Sequence, residues 1–308
     1  MARKAGQATI EWVGVVLVVA LALSATAAGA AGLAPGLARA VRCAVLAGCR
    51  GEDAALEAAY GADVAALVRA WAPGIVYEPG TLSLPVDFRT CRAHRCADAP
   101  DAPGRDVWRS RAGRRAAVFT HVVDRRGAGG ALYLQFWLYY PDSTWLGPAY
   151  AVSRAPVVGG TPVGRLAGRA AGHHADDWES VQLRIGRDGT VMARASAHNG
   201  YAGRRRWPNL NELPWEPRLP AARDGRMRFD RRRRTGAWTP STGWTRVSRG
   251  SHAGHIPPGP APDERRTESD GLEVVPIETL APADLATAFA ISPPWRKPVY
   301  ADPEATGT

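Results

Sequence analysis

From Asp177 the chain alternates. Asp177, Glu179, Val181, Leu183 and Ile185 fall on one face, and Trp178, Ser180, Gln182 and Arg184 on the other, which is the period of a strand. Asp188-Gly189 marks a turn, and a second strand leads on to His198 and Tyr201. A two-residue turn there puts Glu179 opposite His198. A three-residue turn, Arg187 to Gly189, aligns the apolar residues better and turns His198 to the other face. Residues 116–123 and 131–140 read as two strands joined by a Gly-rich turn. The second is apolar or aromatic on both faces apart from Gln135, so it is expected in the middle of a sheet. Shorter strands are expected at 75–77, from Trp244, and at 272–277. Helical spacing predicts a helix over 52–71, stopped by Pro73-Gly74, and a short one over 281–288, started by Pro282 and Asp284.

The N-terminal pattern is different. Residues 12–34 form an uncharged apolar run long enough to span a bilayer, and Arg3 and Lys4 before it orient the rest of the chain outward. One reading is a secretory signal cut near Ala25-Thr26-Ala27, which gives a secreted domain. A second is an anchor that is never cut. A third rests on AGQATIEWVGVVLVV, which resembles the leader of type IV prepilins and of the TadE-like pseudopilins of tight-adherence systems. That resemblance implies cleavage after Gly6, leaving Glu11 at the fifth mature position. All three place the remainder outside the cytoplasm, and the prepilin-like one makes it a single-pass membrane protein with pilus subunits as partners.

The net charge of +10 ordinarily suggests an anionic partner. Only Lys4 and Lys297 are lysines, and Ala, Gly and Pro are abundant, so part of this charge reflects a GC-rich genome such as an actinobacterium's. Residues 204–234 hold eleven arginines with Trp207, Trp215 and Phe229 interleaved. They are a candidate surface for an anionic ligand or, equally, a solvated insertion; nucleic acid is not the expected partner. Residues 153–172 read as a long Gly/Ala/Arg-rich loop. The four cysteines form two close pairs, Cys43/Cys49 and Cys91/Cys96, without CxxC spacing. Local disulfides are expected rather than zinc, although three connectivities are open.

The acidic stretch carries the candidate chemistry. Asp177 and Glu179 lead directly into the apolar face of a strand, and His174 can fold back to the same point. Carboxylates are rarely buried unless paired or bound to metal, so the three form a partial site for a divalent cation; the alternative is a charged rim. No serine-hydrolase elbow, phosphate loop or dinucleotide fingerprint occurs.

HHADDWES resembles the HxxDWE-type segment shared by necrosis-inducing (Nep-like) proteins and the vacuolar protein sorting-associated protein 62 family. LVRAWAPGIVYEPGTLSLPVDF resembles the opening of the second family, and AVFTHVVD and LYLQFWLYYPDSTW its paired strands. SAHNGY and GSHAGHI resemble its later histidine segments. The likeness spans residues 66–300 in the expected order, with Ala175 and Asp176 replacing the usual residues before DWE. It implies that Asp142, after the YxP segment, joins His174, Asp177 and Glu179 as ligands of Mg²⁺, Ca²⁺ or Mn²⁺. With the strand pattern, it predicts a mainly β chain: an antiparallel β-sandwich with a few peripheral helices, preceded by one transmembrane helix. The divisions are 1–36 (leader and membrane helix), 37–65 (helical spacer) and 66–302 (β-sandwich). The leading function is a surface-displayed, cation-binding domain that engages a glycan, lipid headgroup or other anionic ligand. The alternatives are a metal-dependent hydrolase with His198 or His252 as acid/base, and a purely structural minor pilin. The balance leans away from an enzyme.

Overall fold

The computed structural model describes residues 50–78, 81, 83–100, 107–143, 161–162, 174–196, 201, 238–262, 265–286 and 293–305. The expectations for Gly6, Glu11, residues 12–34, Cys43, Cys49, His198, residues 204–234 and most of 153–172 lie outside these. Among the described residues no helix is long and apolar enough to cross a membrane.

The chain divides into two units, Met1–Trp71 and Ala72–Thr308. In the first, the single helix expected over 52–71 is two, α1 (Arg50–Tyr60) and α2 (Ala62–Trp71). Gly61 between them adopts φ 77°, a left-handed conformation that ends one helix and starts the next. Arg69 Nε donates to Asp53 Oδ1 at 2.7 Å and ties the two together.

The second unit is β-rich, with two sheets and few helices. Its strands are β1 (Gly74–Tyr77), β2 (Ala117–Asp124), β3 (Leu132–Ser143), β4 (His174–Ile185), β5 (Val191–Ala195), β6 (Thr239–Pro240), β7 (Trp244–Val247), β8 (Gly254–His255), β9 (Arg266–Thr267) and β10 (Glu273–Pro276). The helices α3 (His94–Ala97), α4 (Pro282–Ala286) and α5 (Pro298–Ala301) are peripheral. One sheet runs β9-β1-β7-β8, and the other β10-β2-β3-β4-β5-β6. Both are mixed rather than antiparallel throughout, because β1 pairs in parallel with β7 and β10 in parallel with β2. A hairpin forces antiparallel pairing, whereas these partners are joined by long stretches of chain that can return in either sense. The arrival of β10 is fixed by Arg115, which donates to Gly271 O at 2.9 Å and Leu272 O at 3.0 Å.

As its two apolar faces predict, β3 is internal and buried along its whole length. The β4–β5 hairpin uses the three-residue turn: Gly186 N donates to Thr190 O at 2.9 Å, and Gly189 takes φ 78°. Val181 therefore faces Ala195. On the Trp178 side of β4 lies an aromatic core. Trp178 meets Tyr139 at 5.1 Å, Phe119 at 5.5 Å and Phe88 at 5.7 Å between ring centroids. Such tilted and edge-on pairs bring electropositive ring edges to electronegative faces.

Cys91 and Cys96 are bridged, with Cα atoms 5.7 Å apart, and the loop sits against that core. Cys96→Ser is expected to cost about 2 kcal/mol, because a loop this short constrains the unfolded chain only modestly. Guanidinium unfolding of the variant beside the parent measures it, and an equal midpoint would show that the bridge contributes nothing.

Candidate functional site

Two acids enter the interior at the start of β4. Asp177 and Glu179 are only 6% and 3% exposed. Alternation puts them on the face opposite Trp178, beside Tyr140 and Leu138 of β3, which are their register partners. Asp176 takes φ 55° and leaves this row. It accepts hydrogen bonds from Tyr139 Oη at 2.6 Å and Arg92 Nη2 at 3.2 Å on the other side of the sheet.

The second sheet supplies the partner of Asp177. The turn after β7 carries His252, which is 1% exposed and held at φ 55°. Its Nδ1 lies 3.1 Å from Asp177 Oδ2. Its ring stacks on Tyr140, with centroids 3.8 Å apart and planes 2° from parallel. This approach needs a residue without a side chain at 254. A Cβ there would lie 2.8 Å from the Ala195 Cβ, while Gly254 N donates to Ser196 O at 2.9 Å. Ser196 closes the group: its Oγ accepts from Ser180 N at 2.6 Å and donates to Glu179 Oε2 at 2.5 Å.

The electrostatics follow from burial. Desolvation, then the Asp177 charge, pushes the Glu179 carboxyl well above the usual carboxylate range. Tyr140 is likewise pushed up, first by burial and then by the charges near it, so its phenol keeps its proton. Lys297 is pushed down by burial, opposed by attraction to Glu179 and Asp177. His252 Nε2 and Tyr140 Oη are buried and have no hydrogen-bond partner among the described residues.

Of the four expected cation ligands, His174 stands nearest the pair, its Nε2 4.0 Å from Asp177 Oδ1, with about a third of its side chain exposed. Asp142 does not join a common centre with them. Past Pro141, β3 runs it opposite Ala175 toward α3, where its Oδ2 lies 3.7 Å from His94 Nδ1. His94 also meets Ser83 Oγ at 3.1 Å and Asp98 at 3.6 Å. Among the described residues no group of three or more His, Cys, Asp or Glu side chains is placed to hold a metal ion. The donors present do not by themselves complete a cation site, because Asp177 is engaged by His252 and Glu179 by Ser196.

Sequence reasoning named His252 but could not attach it to Asp177. It missed Tyr140, Ser196 and Lys297. Only Lys297 left a signal, as one of two lysines in a chain that otherwise uses arginine. No protein-family model, curated protein or solved structure matches this chain. The likeness described above therefore stands on the quoted residues alone.

Proposed function

We propose that this chain is a membrane-anchored surface protein whose β-domain, a sandwich of its two sheets, binds a hydroxyl-rich ligand such as a glycan at the Asp177–His252 site. The anchor is the apolar run 12–34, of prepilin-like character, and the domain lies outside the cytoplasm. What carries the ligand reading is the pair of orphaned, buried polar atoms, His252 Nε2 and Tyr140 Oη. An unsatisfied buried polar group costs about 1–3 kcal/mol, so the two together favour a partner that satisfies both. Asp177 accepts the Nδ1 proton of His252 and leaves Nε2 as an acceptor. Tyr140 offers a donor, and a protonated Glu179 offers another. Acceptor and donors side by side suit sugar hydroxyls, which both give and take hydrogen bonds. The reading needs no divalent ion.

The same histidine–aspartate pair favours a second reading, an envelope hydrolase with His252 as general base. Both are tested on full-length protein in detergent micelles. An oligosaccharide array, followed by calorimetry with the best-scoring sugar, should show binding that His252→Ala weakens by at least about tenfold, the factor for 1.4 kcal/mol. No binding on the array, or equal binding by the variant, sinks the ligand reading. Turnover of nitrophenyl glycosides that disappears in His252→Ala would establish the hydrolase instead.

A further inference from the structure

We infer that the ligand site runs on from the Asp177–His252 pair to Ser143 and His174, and that it takes two linked sugar units rather than one. The inference rests on the ligand reading above and extends the same site.

An irregularity between β3 and β4 brings these residues onto the site's face. Cross-strand pairing is continuous from Leu132–Ile185 to Tyr140–Asp177, skips Pro141 and Asp176, and resumes with Asp142–Ala175 and Ser143–His174. Pro141 has no N–H to give the ladder, and Asp176 takes φ 55°. Beyond that point the alternation is shifted by one residue. Asp142, two residues after Tyr140, would otherwise share its face. Its carboxylate instead lies near His94, on the helix whose Ala97 packs in the Trp178 core. Ser143 therefore follows on the Tyr140 face. His174, its register partner, agrees: its Nε2 lies 4.0 Å from Asp177 Oδ1, and directly opposed residues of an antiparallel pair share a face.

Ser143 is fully buried, and its Oγ has no hydrogen-bond partner among the described residues. It joins His252 Nε2 and Tyr140 Oη as an orphaned polar group of this face. A buried hydroxyl left unpaired is costly, and a ligand hydroxyl that meets it removes the cost. Tyr140 and Ser143 stand three residues apart, about 10 Å along an extended strand, which is longer than one sugar ring. A serine hydroxyl both gives and accepts hydrogen bonds, so it suits a hydroxyl of a second unit. The end at His174 is open. About a third of that side chain is exposed, while its Nδ1 lies 3.3 Å from Ala175 O. The sugar chain enters past His174, with its leading unit against His252 and Tyr140 and the next against Ser143.

The test uses full-length protein in micelles and calorimetry with two probes, the array's best-scoring disaccharide and the methyl glycoside of its constituent monosaccharide. Wild type should bind the disaccharide at least about fivefold more tightly, the factor for one hydrogen bond. Ser143→Ala should abolish that preference and leave the monosaccharide's affinity unchanged. Its ligand-free melting temperature should be equal or higher, because the change removes an unsatisfied group. The inference is overturned if Ser143→Ala keeps the disaccharide preference or weakens the monosaccharide as much. It is also overturned if the variant melts lower or fails to fold, since the Oγ would then have its partner within the fold. No binding on the array sinks the ligand reading and this extension with it. Binding that His252→Ala weakens and Ser143→Ala leaves alone overturns the extension only.

Discussion

Trp178→Ala should lower unfolding free energy by about 3–5 kcal/mol, the range for truncating a large aromatic in a packed core. Its indole is 3% exposed and meets Phe88, Phe119, Tyr139 and Trp295. Removing it takes away apolar area and leaves a cavity that four rigid rings cannot collapse to fill. A domain is stable by only about 5–15 kcal/mol, so the variant sits near the folding threshold at 37 °C. The effect extends across the sheet, because the backbone of Trp178 joins Asp177 to Glu179 and its carbonyl accepts from Lys297. Guanidinium unfolding followed by circular dichroism measures the loss. A decrease under about 1 kcal/mol would mean that this face is not the core. Trp178→Phe, which keeps an aromatic ring, should lose less than half as much.

Glu179→Gln should raise the melting temperature at pH 7 and leave it unchanged near pH 4. The folded carboxyl titrates well above its ordinary value, through burial first and the Asp177 charge second. Its unfolded value is about 4.3. Below that, both states hold the proton and the residue is neutral in the balance. As pH rises, the unfolded chain releases the proton while the folded chain keeps it, so wild type loses stability until pH passes the folded value. Each unit of separation corresponds to about 1.4 kcal/mol. Glutamine carries no such penalty, and its carbonyl can still accept from Ser196 Oγ. The depressed Lys297 acts in the opposite sense, between its lowered folded value and its ordinary one, where an unfolded lysine holds a proton that the folded one releases. Thermal melts of the two proteins from pH 4 to 8 give the comparison. Parallel curves would show that Glu179 binds its proton equally in the folded and unfolded chain, and that burial does not hold it on.

The histidines show how far local pattern reaches. His174 and Asp177, three residues apart, could be paired from sequence, and the structure brings them to 4.0 Å. His252 stood out as part of a turn and as a candidate acid/base for the acidic cluster, with no partner assigned to it. Seventy-five residues separate it from Asp177, and nothing local to either residue encodes their 3.1 Å contact. Asp142 is the converse case. Its place just after β3 is legible, yet its side chain meets His94 because of how α3 packs, which no strand periodicity contains.

By itself the sequence determined what repeats at short range. The alternation of β4, the apolar faces of β3, a turn at Asp188-Gly189 and the helix stop at Pro73-Gly74 all follow from side-chain period and backbone preference, whereas the choice of the three-residue turn over the two-residue one is made in the fold. The placing of Asp177 and Glu179 on one face with Val181 and Leu183 follows from the same period, although the pattern also fits a charged rim, and it is the packing that buries them. The tertiary structure decided the sense of the long-range pairings, β1 with β7 and β10 with β2, because chain returning after a long connection is free of the hairpin's constraint. It also decided which groups answer the acids. Burial creates the need for partners, but they come from residues 252 and 196, and only the tertiary packing brings His252 to Asp177 and Ser196 to Glu179.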